Sequence, residues 1–410
     1  MVRYLFPILL LLPQVYLFYR FLRWHRANHR LPKPLALAVV VLFAAFGAGL
    51  LSTMFFRIWA MRYSEWFIAW FVYPFLFWQA STFLIAVVLL VGSIIRLPFA
   101  AVWAGLKKLP ATRRRATAIA GHPGVVRFDA ARRRFLTRSV YGLTAASFGG
   151  TAYGMILGNR NCDANERDIF IPGLPGELNG FSIALVTDIH SSLYMSKRDM
   201  DEYVKRINDL GADIVAVGGD MVNSAVEEVY PFAEAFCKLK SPLGVYGVLG
   251  NHDFYSRDPE KVAAVSNEAG IRMLRDQLVV VRKGNTPLNI IGVDDTGSLA
   301  TIEKKIQIAL AGVKEPARNI LLCHRPYFFD HAQASGIDLM LSGHTHGGQV
   351  VFGRLGSTAF TPAALVSPFV SGYYSSGTAQ MYLSRGIGTV AVPIRINCPP
   401  EITRIVLRTA

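Results

Sequence analysis

Val245-Tyr246-Gly247-Val248-Leu249-Gly250-Asn251-His252-Asp253 passes from an apolar run to an amide, an imidazole and a carboxylate. The apolar residues read as a buried strand, and Gly250 opens the turn that ends it. An Asn carbonyl can face a cation, a His can ligate or carry a proton, and an Asp can orient that His. The same pattern recurs along the chain. Asp188-Ile189-His190, Gly219-Asp220, His324 and Gly343-His344-Thr345-His346 each follow an apolar run.

Open α/β sheets collect their sites at the carboxyl ends of strands. Asp188, Asp220, Asn251, His324 and His344 all fall there on this reading. An ordinary core would not carry such polarity, because a buried unpaired carboxylate or imidazole is costly. Together with His190 and His346, these residues offer ligands for two divalent ions. Mixed imidazole and carboxylate donors suit Mn, Fe or Zn better than Mg or Ca. Gly343, Gly347 and Gly348 let the backbone turn tightly beside the His pair.

Around these stretches the pattern is α/β. Met200, Val204, Ile207 and Leu210 recur at helical spacing and stop at Gly211, and Asp258-Pro259 opens another helix. Strand-like runs continue at 278–282, 289–293, 319–323, 338–341, 348–352, 380–384 and 402–407. Strands first alternate with helices and then run as hairpins, which predicts a two-sheet sandwich flanked by helices. His331, on an expected helix, reads as a surface residue.

The N-terminal part differs. Residues 1–158 hold 19 Lys+Arg against two acids, Glu65 and Asp129, whereas the remainder holds 24 against 26. A basic excess confined to one end argues for membrane-flanking segments and against nucleic acid as a partner. Tyr4–Tyr19, Leu35–Phe56 and Trp66–Ile95 are apolar stretches of roughly spanning length. Residues 1–106 thus read as an all-α transmembrane region of about three spans, with Leu97–Leu106 lying at the interface. The sparse 57–65 loop faces outward, and the basic loops face the cytoplasm, with His25, His29 and His122 as solvated flanking residues. Residues 107–158 read as a basic segment with a fourth apolar stretch, and 159–410 as the catalytic domain. Cys162 and Cys398 lie near the two ends of that domain and can pair if it is exported.

Arg132-Arg133-Arg134-Phe135-Leu136-Thr137 resembles a twin-arginine export signal, and the weakly apolar Ser139–Gly158 follows it. The five ligand blocks, in their order and spacing over residues 180–410, resemble the calcineurin-like metallophosphoesterases. Leu341–Gln349, Ser384–Gly388 and Pro399–Ile402 resemble that family's membrane-attached bacterial branch. The resemblance implies that Asp188, His190 and His346 hold one metal, that Asn251, His324 and His344 hold the other, and that Asp220 bridges them. It implies His252 as the proton donor to the leaving oxygen and Asp253 as its orienting partner. Asn223, three residues after Asp220, departs from the commoner carboxylate.

The expected activity is hydroxide attack on a phosphoric ester or pyrophosphate by a manganese-type phosphodiesterase of lipid metabolism. It would sit in a bacterial cytoplasmic membrane as a multi-pass protein, with its catalytic domain on the extracytoplasmic side. Two alternatives stand beside it. One is a lipid-precursor pyrophosphatase resembling the UDP-2,3-diacylglucosamine hydrolases, which topology distinguishes. The other is a membrane sensor with a degenerate phosphoesterase fold, whose signature would be a lost ligand. An amphiphilic substrate is expected because Val351–Ala379 holds a single charge, Arg354, among Phe352, Leu355, Phe360, Leu365, Val366, Phe369, Val370, Tyr373 and Tyr374. Membrane lipids and the twin-arginine export machinery are the expected partners.

Overall fold

The computed structural model describes residues 2–28, 31–55, 63–313, 315–356 and 358–410. His29 and most of the 57–65 loop lie outside the described residues. The chain divides into two compact units, the N-terminal helices as far as Tyr153 and the segment Gly154–Ala410.

The first unit is all helix: α1 (Val2–Asn28), α2 (Lys33–Phe55), α3 (Glu65–Phe67), α4 (Tyr73–Lys108), α5 (Pro110–Gly121) and most of α6 (Pro123–Ile156). A π turn at Ile68–Val72 joins α3 to α4 just before Pro74, whose missing N–H removes an α-type bond. Leu97–Leu106 is not a separate segment, because α4 continues through Pro98 to Lys108. Among the described residues, Lys33–Leu51 and Glu65–Lys108 are long and apolar enough to cross a membrane, by length and composition. Polar side chains of α1 and α4 pair with one another. The Gln14 amide donates to Gln79 Oε1 at 2.9 Å and Thr82 Oγ1 at 2.5 Å, and Gln79 donates to the Phe46 carbonyl at 3.1 Å. In apolar surroundings such groups have no water to turn to, so they tie helices together. The Arg132–Thr137 stretch lies on α6.

The second unit is a sandwich of two six-stranded sheets. The strands are β1 (Asp163–Ile171), β2 (Ser182–Val186), β3 (Ile214–Val217), β4 (Val245–Gly247), β5 (Ile271–Met273), β6 (Gln277–Lys283) and β7 (Thr286–Val293). They continue as β8 (Arg318–Cys323), β9 (Leu339–Ser342), β10 (Gly353–Leu355), β11 (Thr358–Phe360), β12 (Gly372–Ser376), β13 (Ala379–Leu383) and β14 (Glu401–Thr409). One sheet has the order β1-β14-β2-β3-β4-β5 and the other β12-β13-β9-β8-β7-β6. The centres of both are parallel: β2 through β5 in the first, and β7, β8, β9 and β13 in the second. Antiparallel pairing in the second sheet is confined to its edges, β6 on β7 and β12 on β13. The hairpin-rich second half expected from sequence is therefore mainly parallel.

Strand periodicity of two decides what each side chain meets. Ile183 and Leu185 of β2, Ile290 of β7, Ile320 and Leu322 of β8 and Leu339 and Leu341 of β9 fill the space between the sheets. Their alternate neighbours turn outward to the helices. Ala184 and Val186 meet α7 (Lys197–Asp209) and α8 (Val229–Phe236), and Ile291, Leu321 and Met340 meet α11 (Leu299–Leu310) and α12 (Phe329–Ala334). Two further helices, α9 (Asn251–Tyr255) and α10 (Pro259–Glu268), lie between these pairs in the chain. Each fully buried aliphatic side chain contributes roughly 1.5–3 kcal/mol. A Ser196–Asp199 capping box starts α7, and its buried face is Met200, Val204 and Ile207.

Two local expectations change. The run 348–352 is not a strand, because Gly347, Gly348 and Gln349 all take positive φ and break the ladder, leaving Val350 a lone bridge to Ile396. Conversely, Asp163–Ile171 is a nine-residue edge strand paired with β14, although its exposed charges hide the pattern.

Candidate metal centre

Because the strands run parallel, their carboxyl ends lie along one edge, and the polar residues after them converge there. Asp188 follows β2, Asp220 follows β3, Asn251 follows β4, His324 follows β8 and His344 follows β9. Asp188, His190, Asp220, Asn251, His324 and His346 are buried, and His344 is partly so. Asp188, His190 and His346 offer ligand atoms within 4.8 Å of one another, as do Asp220, His324 and His344. His252 joins His190 and Asp220 in a third such group.

The backbone is bent to achieve this. Asp188, His190, Asp220, His344 and His346 have φ of 52°, 49°, 54°, 78° and 52°. Left-handed conformations cost non-glycine residues energy and cluster at functional sites. Glycines make room for the carboxylates: a Cβ on Gly250 would lie 2.3 Å from Asp220 Oδ1, and one on Gly343 2.2 Å from Asp188 Oδ2.

The electrostatics fit a cation. Burial pushes His190 and His344 down to about 3 and His346 well below the ordinary imidazole range, so each is neutral, the form that ligates. Burial resists ionisation of Asp220, but His324 and its neighbours outweigh it and hold the carboxyl well below the usual range. His324 Nδ1 donates to the Gly218 carbonyl at 2.9 Å, which leaves Nε2, 3.2 Å from Asp220 Oδ2, as the nitrogen facing the site. His190 Nε2 and His346 Nε2 face each other at 3.1 Å, 3.5 Å from Asp220 Oδ2 and 3.4 Å from Asp188 Oδ1 respectively, and Asn251 Oδ1 is buried without a hydrogen-bond partner. Buried donors and acceptors left in this way usually have an ion or water to meet. The donor set therefore fits a divalent pair, with Asn251 Oδ1 available as an oxygen ligand.

Asp253 does not orient His252. Its carboxylate instead accepts four backbone N–H groups, from Gly250 (2.8 Å), Asp220 (2.9 Å), Met221 (3.0 Å) and Val222 (3.1 Å). It thereby pins the turn after β3 to the turn after β4. The His252 ring is held by the Asn223 carbonyl, 2.5 Å from Nδ1. That carbonyl sits in a loop whose amides at Asn223, Ser224 and Ala225 all donate to Glu228 Oε2, at 2.8, 2.7 and 3.1 Å. The departure at Asn223 thus matters through its backbone.

Residues 181–348 match the family model for calcineurin-like phosphoesterase. Residues 181–348 carry a calcineurin-like phosphoesterase domain. The family comprises hydrolases that act on phosphoester bonds. A "Transmembrane protein with metallophosphoesterase domain" from Danio rerio is 32% identical over 63% of this chain and 60% of its own length, so the chain spans less than two thirds of that relative. The uncharacterized metallophosphoesterase YkuE of Bacillus subtilis (strain 168) is 27% identical over 68% of this chain and 98% of its own. Among solved structures, TT1561 of Thermus thermophilus is 17% identical, with a TM-score of 0.34 over 51% of this chain and 90% of that one.

Several residues of the second unit support the ligand turns without resembling ligands. Arg395 is fully buried, and its guanidinium donates to the carbonyls of Arg385 (2.9 Å), Gly386 (3.1 Å), Gly388 (2.5 Å) and Cys398 (3.1 Å), and more weakly to His346 (3.4 Å). Gly388 N–H in turn donates to the Asp188 carbonyl at 2.7 Å, so one cation braces the turns of Asp188 and His346. Cys398 is buried beside it, and Cys162, Cys237, Cys323 and Cys398 are all free thiols. Tyr255 packs on His252 at 5.3 Å, and Tyr327 stands edge-on to His344 at 5.5 Å. Sequence periodicity gives no sign of Arg395 or Glu228, since each works through backbone groups brought together by the fold.

Proposed function

We propose that this protein is a membrane-attached, metal-dependent phosphohydrolase that cleaves a phosphoric ester or pyrophosphate of a lipid-linked substrate. The observation that carries it is the convergence of Asp188, His190 and His346, and of Asp220, His324 and His344, within 4.8 Å at the strand ends. When bound, a pair of divalent ions such as Mn, Fe or Zn supplies Lewis acidity at the phosphoryl oxygens and a nucleophile near neutral pH.

The chain's own residues do the rest. Asp188, His190 and His346 hold one position, Asn251, His324 and His344 the other, and Asp220 lies between them. The Asn223 carbonyl accepts from His252 Nδ1, which leaves His252 Nε2 to deliver a proton to the leaving oxygen. Asp253 keeps Asp220 and Asn251 in register through the backbone.

Membrane attachment is supported by the apolar helices Lys33–Leu51 and Glu65–Lys108. The basic loops and the paired arginines of α6 favour an extracytoplasmic catalytic domain, reached through twin-arginine export. The test uses the full-length chain, stripped by chelator and reloaded with Mn²⁺, Zn²⁺ or Fe²⁺. Two ions per chain and metal-dependent hydrolysis of an aryl phosphodiester are the expected result, with both lost in Asp220→Ala. Unchanged hydrolysis by the stripped chain would sink the reading.

A further inference from the structure

We infer that the hairpin β10–β11 and the turn after it form a membrane-docking element that seats in the bilayer interface. Leu355 and Phe360 are 74% and 54% exposed, and Phe352, Leu365 and Val366 are 69%, 88% and 80% exposed. The exposure follows from the fold. In the hairpin, Gly353 pairs with Phe360, Arg354 with Ala359 and Leu355 with Thr358, so Leu355 and Phe360 share one face. Ala359 is on the other face and packs with Val351, Val370 and Cys398, which turns Leu355 and Phe360 away from the domain.

The patch is fixed to the candidate metal centre. Val351 N–H donates to the Ile396 carbonyl at 2.9 Å, and Thr361 Oγ1 approaches the Gly348 carbonyl at 3.3 Å. Thr345, between the two His of the pair, donates through Oγ1 to the Val370 carbonyl at 2.6 Å. Gly348 has to lack a side chain here, because a Cβ would fall 2.1 Å from Thr361 Oγ1.

The occupant is a lipid surface. Val351–Ala379 contains no acidic residue and one cation, the exposed Arg354, a combination that suits an anionic headgroup layer above acyl chains. The same chain carries helices apolar enough to cross a bilayer, which keeps that surface at high effective concentration. Phe369 and Tyr373 are not part of the element. Phe369 packs edge-on against Phe329 and Tyr374, and Tyr373 bonds Gln380 and lies under Arg167.

This inference rests on the membrane attachment proposed above and not on the hydrolase reading. The test is a full-length Cys237→Ser, Leu365→Cys chain labelled with an environment-sensitive fluorophore, in nanodiscs of anionic phospholipid with nitroxide-bearing lipids. The comparison is the otherwise native chain labelled at the exposed Cys237. Blue-shifted emission and at least threefold stronger quenching at position 365 are expected with one chain per disc. Quenching no stronger at 365 than at 237, or a shift only with two chains per disc, overturns the inference, the latter in favour of a second copy as the occupant. Release of the chain from vesicles by alkaline carbonate would instead fail the attachment. An attached chain with an unquenched label fails docking alone.

Discussion

The Asn223 carbonyl lies 2.5 Å from Nδ1 of His252. Because a carbonyl only accepts, this contact fixes the tautomer of the ring and reserves Nε2 for the substrate side. A backbone atom thus does the orienting work that the neighbouring carboxylate, Asp253, suggested from sequence.

His252→Ala should lower kcat by about 10²–10⁴, the range for removing a general acid, while the chain keeps both metals. Metal content by mass spectrometry and turnover on an aryl phosphodiester check the two halves. Loss of bound metal in this variant would make His252 a ligand.

Asp253→Ala should act on folding rather than on proton transfer. It strands four buried N–H groups, each worth about 1–3 kcal/mol when unsatisfied. A large fall in Tm is expected, against little change for His252→Ala. Equal Tm values for the two variants would contradict the bracing role.

Glu228 gives a pH signature. Burial pushes its carboxyl from 4.5 up to about 7, against the pull of the amides it accepts from. A raised folded-state pKa adds stability that is full below about 4.5 and lost as pH rises through about 7. The Tm of the wild type relative to Glu228→Gln should therefore fall between those values and then level off. A difference that stays flat across pH 4.5–7 would refute the assignment.

Arg132→Lys with Arg133→Lys keeps the charge and so the positive-inside bias, but removes the paired guanidinium groups. If export runs through the twin-arginine route, the catalytic domain of the double variant should become protected from protease added to spheroplasts. Unchanged digestion would reduce the pair to a basic flank.

Much of the site could be read along the sequence because buried strands leave their polar ends conspicuous. Asp188, Asp220, Asn251, His324 and His344 each break an apolar run, and the fold brings them together. The supporting residues were not legible for a physical reason. Arg395 and Glu228 act on carbonyls and amides, and backbone groups look alike in every sequence. Strand β1 was hidden because only Ile169 and Ile171 of its nine residues are buried. The outward face of Val351–Ala379 depends on hairpin register, which composition does not carry. Leu365 and Phe369 read alike until one is seen exposed and the other against Phe329.

The left-handed turns at Asp188, His190, Asp220, His344 and His346 limit which ligands evolution can try there. Asp, Asn and His are the side-chain-bearing residues that enter that region most readily, and they are also donors to hard and borderline cations. Backbone shape and ligand chemistry therefore select the same small alphabet. A Cys or Glu introduced to retune the metal preference would face a backbone penalty of roughly 1–2 kcal/mol before any coordination bond formed. The centre can change its metal most easily through its surroundings, and least easily through its ligands.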